Sequence, residues 1–64
     1  MLSRQLIRLR RKARLTQEAL AHEAGLSRTY VTDIEGEKRN VTLATIEKLA
    51  VALDVPIGQL LASR

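Results

Sequence analysis

The chain has 64 residues, no cysteine, one aromatic residue and a formal net charge of +4. A chain this short buries only about 60% of the surface its unfolded state exposes, and without cysteine no disulfide or thiolate metal site stiffens it. Its core must therefore be aliphatic, which favours an all-α fold and leaves little room for a substrate cavity.

The first predicted helix covers residues 3–13, where Leu2, Leu6, Leu9 and Ala13 recur on one helical face. Arg4, Arg8, Arg10, Arg11, Lys12 and Arg14 fill most of what remains, with no acid among them. A basic amphipathic start also suits a membrane surface, but the rest of the chain points elsewhere. No apolar stretch marks a signal peptide or spans a bilayer. A second helix is expected over residues 17–24, with Thr16 as N-cap and Glu18 in the first turn, where the helix dipole favours an acid. Ala19, Leu20 and Ala24 can face inward, and Gly25 can take the left-handed conformation that stops the helix.

The third helix is expected over 28–35, capped by Ser27, stapled by Leu26 and ended by Gly36, with Val31 and Ile34 as its buried stripe. Residues 37–41 read as a polar loop holding Lys38, Arg39 and Asn40. Thr42 caps a fourth helix over 43–53, where Leu43, Ile46, Leu49, Ala50 and Leu53 form a broad apolar stripe. Pro56 fits the first position of a short fifth helix over 56–61, because its missing N–H costs nothing there, and Ile57, Leu60 and Leu61 supply the apolar side. The expectation is one domain over residues 1–64, a compact five-helix bundle with connections of ordinary length.

Helices 2 and 3 meet at the tight turn of Gly25, and helix 3 carries Arg28, Thr29, Thr32 and Asp33 where a core helix would be apolar. Two helices at a sharp angle, the second with a polar outer face, are how a small protein reaches base edges in a DNA major groove. The segments LTQEALA, AGLSRTYVTDIE, the RN-x-T loop and TLATIEKLAVALDVP together resemble the lambda repressor/Cro-type helix-turn-helix family, often called the XRE family, over residues 6–61. The stretch SRTYVTDIEGEKRNVT is especially similar to controller proteins of restriction–modification systems and to short phage-type repressors. The resemblance implies a lambda repressor-like bundle with Gln17 on a phosphate and Ser27, Arg28, Thr29 and Asp33 facing the groove. It also implies an internal ion pair between Arg10 and Glu35, and a loop from Lys38 to Thr42 along the DNA backbone. Val41 stands where the family often has proline.

The chemistry of the residues supports these roles. A guanidinium such as that of Arg28 can donate two hydrogen bonds to guanine O6 and N7, worth about 1–3 kcal/mol of discrimination. Thr29 offers a hydroxyl to a base or phosphate and a methyl to thymine. Thr32, one turn beyond Arg28, shares its face and is a candidate for a base or backbone contact. Asp33 is repelled by phosphates unless it accepts from cytosine N4 or steadies an arginine. Tyr30 is suited either to a phosphate or to covering the edge of the core. Gln17, Ser27, Lys38, Arg39, Asn40 and Thr42 supply the backbone donors. Arg8, Arg11, Lys12 and Arg14 read as electrostatic steering or as a solvated face.

An enzyme is not expected. His22 is the sole histidine, no Cys/His cluster has metal-ligand spacing, and the three glycines are isolated. No metal or cofactor is expected. The reading is a cytoplasmic, sequence-specific transcriptional regulator that binds double-stranded DNA at a roughly palindromic operator. Repression, or activation through contact with RNA polymerase, depends on where that operator lies. Alternatives are a protein-interaction module of the same fold, or the DNA-binding part of a longer regulator. Reading a palindrome requires a homodimer, and Val51, Val55, Ile57, Leu60 and Leu61 are the apolar side chains expected to supply its interface.

Overall fold

Capping side chains set where the helices begin. In the computed structural model, which describes residues 2–62, the elements are α1 (Leu2–Lys12), α2 (Gln17–Ala24), α3 (Arg28–Glu35), α4 (Leu43–Leu53) and α5 (Ile57–Leu61). No strand occurs among the described residues. Thr16, Ser27 and Thr42 each turn a side-chain oxygen onto the N–H three residues on, at Ala19, Tyr30 and Thr45. Each such cap is worth about 1 kcal/mol.

The helix ends depend on left-handed residues. Gly25 has φ +70° and returns its N–H to the last carbonyls of α2, while Leu26 N–H reaches Ala21 O at 2.8 Å. This is a Schellman closure, and it aims α3 away from α2. Three non-glycine residues play the same part elsewhere: Arg14 after α1, Glu37 after α3 and Asp54 after α4, with φ of 62°, 60° and 57°.

These reversals account for the departures from expectation. The chain turns back at Arg14, with Leu15 N–H on Arg10 O at 3.1 Å, so α1 stops at Lys12. Ala13 therefore lies outside the helix and is exposed instead of sharing the buried face. Gly36 closes α3, and the left-handed residue beyond it is Glu37. Pro56 is the N-cap of α5 instead of its first residue, with ψ of 144° in the extended range. Leu43 opens α4 and is 60% exposed, leaving Ile46, Leu49, Ala50 and Leu53 to bury that helix.

α2 packs on α3 and α4, α1 on α3 and α5, and α4 on α5. The side chains at the centre are Leu6, Leu20, Val31, Leu49 and Leu60, one from each helix. Gln5 is also buried, and its Oε1 accepts from Arg8 Nε and Nη2 at 3.1 and 2.8 Å. Those bonds satisfy the buried amide oxygen, and no buried side-chain nitrogen or oxygen among the described residues lacks a partner. The outcome is a scaffold whose outward surface carries α3 between the N-terminus of α2 and the 37–41 loop.

Candidate nucleic-acid interface

The Gly25 turn brings the start of α2 and the start of α3 to one surface. Arg10, Thr16, Gln17, Glu18 and Arg28 line one open cleft there. Arg28 and Thr29 occupy the first turn of α3 and are exposed, as is Ser27, the α3 cap. Thr32, one turn further, is exposed as well. The loop that follows presents Lys38, Arg39, Asn40 and Thr42 to solvent. Unmet N–H groups at a helix start and cationic side chains around it form a surface suited to phosphate oxygens.

A hydrogen-bond chain holds this surface to the core. Arg10 Nε meets Glu35 Oε2 at 2.6 Å, Arg10 Nη2 donates to Glu35 Oε1 at 3.1 Å, and Arg10 Nη1 donates to Leu15 O at 2.8 Å. The two side chains retain only 12% and 6% of their exposure, so the pair is mostly dry, and the fork-to-fork geometry is the strong form of this contact. Gln17 Nε2 donates to Glu35 Oε1 at 2.9 Å, and Gln17 Oε1 accepts from Thr32 Oγ1 at 2.9 Å. Thus α1, α2 and α3 are tied together through one carboxylate and one amide. The bond between Gln17 and Thr32 was not foreseen; it becomes readable only once the angle between α2 and α3 is known.

Asp33 and Tyr30 converge on the loop. Asp33 Oδ2 pairs with Arg39 Nη2 at 3.3 Å. The Arg39 guanidinium also lies over the Tyr30 ring, 4.9 Å from its centroid, which is within cation–π range. The Tyr30 hydroxyl shares a hydrogen bond with Thr45 Oγ1 at 3.4 Å, and Thr45 is bonded to the α4 cap Thr42. Tyr30 is half-buried, packed against the core. Tyr30 thus covers the core edge, one of the two roles open to it in the sequence.

The apolar residues expected at a self-association surface are divided. Val51 is 79% and Leu61 54% exposed, whereas Leu60 is fully buried and has no side-chain surface to offer a partner. Val55 and Ile57 are half-buried against the core. Among the described residues, no cluster of three or more His, Cys, Asp or Glu is placed to hold a metal ion, and no helix is long and apolar enough to cross a membrane.

A five-helix fold in which α2 and α3 flank a left-handed glycine turn, with a polar α3 face, defines the lambda repressor-like helix-turn-helix class. The helix-turn-helix family model matches residues 6–60, and the chain belongs to that family, one of non-enzymatic transcription regulators. Its particular likeness is to controller proteins. It is 50% identical over 50 residues to control protein C.BamHI of Bacillus amyloliquefaciens, covering 78% of this chain and 62% of that protein. It is 50% identical over 46 residues to a hypothetical transcription factor of Neisseria meningitidis serogroup B, covering 72% of this chain and 43% of that one. It therefore spans less than two thirds of the length of either relative. The crystal structure of the restriction–modification controller protein C.AhdI from Aeromonas hydrophila superposes with a TM-score of 0.90 at 44% identity, covering 92% of this chain and 89% of the other.

Proposed function

We propose that the chain is a sequence-specific DNA-binding transcriptional regulator of the controller type, working in the cytoplasm as a homodimer on a roughly palindromic operator. The observation that carries this is the set of exposed donors around α3: Arg28 and Thr29 on its first turn, flanked by the α2 N-terminus with the half-buried Gln17 on one side and by the exposed loop of Lys38, Arg39 and Asn40 on the other. α3 enters the major groove with Arg28 on a guanine edge and Thr29 beside it. Ser27, Lys38 and Asn40 hold the phosphates and set the register, with Gln17 adding the second proton of its amide nitrogen. Two copies are needed because one helix reads only a few base pairs, and the exposed Val51 and Leu61, with the flanking Val55 and Ile57, offer an apolar surface for pairing. Contact with RNA polymerase, where the operator lies beside a promoter, would make the same protein an activator.

The test is selection from a randomised duplex library, sequenced at two salt concentrations. The expected result is an enriched palindrome with one guanine per half-site, its affinity falling steeply with salt. Salt-sensitive binding with no enriched sequence, or no binding, would reject the reading.

A further inference from the structure

The hydrogen bonds beneath α3 have a direction, and that direction constrains what the recognition helix can read. The Glu35 carboxylate, paired with Arg10, only accepts hydrogen bonds. It takes one from Gln17, so the amide nitrogen of Gln17 faces Glu35 and its oxygen faces outward. That oxygen, in turn, only accepts, so at 2.9 Å it takes the hydroxyl proton of Thr32. A threonine hydroxyl has one proton and two lone pairs. With its proton committed to Gln17, the exposed Thr32 faces solvent as an acceptor alone.

We propose that Thr32 is a specificity-determining residue that reads an exocyclic amino group, adenine N6 or cytosine N4, in the major groove. This rests on the DNA-binding reading above. The exclusion is chemical. Phosphate oxygens, guanine O6 and thymine O4 are acceptors and cannot bond an acceptor-only oxygen, whereas adenine and cytosine present donors at those edges. Thr32 shares the face of Arg28, one turn along α3, so its base lies beside the guanine assigned to Arg28. Gln17 is then a positioning residue for specificity in addition to any backbone contact, because its oxygen decides which way the threonine proton points.

The experiment compares selected duplex pools for the wild-type protein, Thr32→Val and Gln17→Leu, all checked for folding by circular dichroism. Thr32 is exposed, and valine matches its shape, so the first variant keeps the fold. The wild type should favour adenine or cytosine over guanine or thymine at one position per half-site, by roughly threefold to tenfold, as one hydrogen bond provides. Thr32→Val should flatten that position while the Arg28 guanine persists. Gln17→Leu frees the threonine proton, so guanine and thymine should become acceptable at that position alone. Its overall affinity should also fall, equally for all sequences. The proposal is overturned if Thr32→Val leaves every position unchanged, or if the Thr32-dependent position already favours guanine or thymine in the wild type. It is equally overturned if Gln17→Leu lowers affinity without altering that position. A wild-type pool with no enriched palindrome would instead reject the DNA-binding reading, and this inference with it.

Discussion

Glu35 shows how much a single side chain carries. Its carboxylate accepts from Arg10 and Gln17 while retaining 6% of its exposure, so a cation stripped of it would be stranded away from water. Glu35→Ala should cost about 3 kcal/mol, a large share of the roughly 3–10 kcal/mol expected for a domain of this size. Arg10→Met combined with Glu35→Leu should be less damaging than Glu35→Ala alone, because no charge remains unpaired. Urea unfolding of the three proteins checks this order. Asp33 is the converse case. Its pair with Arg39 is partly solvated, the side chains being 25% and 51% exposed, and adds well under 1 kcal/mol to stability. Its effect should appear on DNA. If Asp33 steadies Arg39 for a phosphate, Asp33→Asn lowers operator affinity despite removing a negative charge, and the same substitution in an Arg39→Ala background raises it. A carboxylate that merely repels DNA would raise affinity in both backgrounds when neutralised, and titration against a labelled operator separates the two.

The elements stand or fall by their ends. Gly25 has φ +70°, and a Cβ built there would meet nothing within 4 Å. Gly25→Ala therefore carries a purely conformational penalty of about 1 kcal/mol, visible as a lowered denaturation midpoint with an unchanged slope. Asp54 adopts a similar backbone without glycine's freedom, so Asp54→Gly should raise stability by about 0.5 kcal/mol in the same assay. The contrast between these positions explains what was legible beforehand. Thr16, Ser27, Thr42 and Gly25 are strong local signals, and the helix limits they mark follow from side-chain chemistry alone. Arg14, Glu37 and Asp54 give no comparable signal, because they take the same left-handed turn, closed by local backbone hydrogen bonds, without being glycine, and the misplaced end of α1 follows directly. The α3 surface was readable because polar residues at Arg28, Thr29 and Thr32 interrupt an apolar periodicity. The cross-links of Gln17 to Thr32 and Asp33 to Arg39 were not, since each depends on how separate elements sit against one another. Gln5 was missed because a glutamine on a helix bordered by arginines reads as surface until its partner Arg8 is in view.

Size governs how the whole molecule can act. Its longest extent is 24 Å, shorter than the ~34 Å between successive major-groove faces on one side of B-DNA. One copy therefore reaches one groove, and placing α3 helices in both grooves takes two copies, which the proposed dimer would hold together through a contact between them. The exposed end of the chain's apolar surface is where that contact is expected: Leu61 lies on the outer side of α5 at 54% exposure, beside the fully buried Leu60. Leu61→Asp should leave the monomer folded while raising the dimer dissociation constant tenfold or more, about 1.4 kcal/mol. Leu60→Asp should instead unfold the chain, because it places an unpaired carboxylate in the core. Sedimentation equilibrium gives the dissociation constant, and operator titration gives its consequence. The wild type should bind a full palindrome far more tightly than an isolated half-site, and Leu61→Asp should bring the two affinities towards each other. A dimer unaffected by Leu61→Asp but lost in Val51→Asp would move the interface to the outer face of α4.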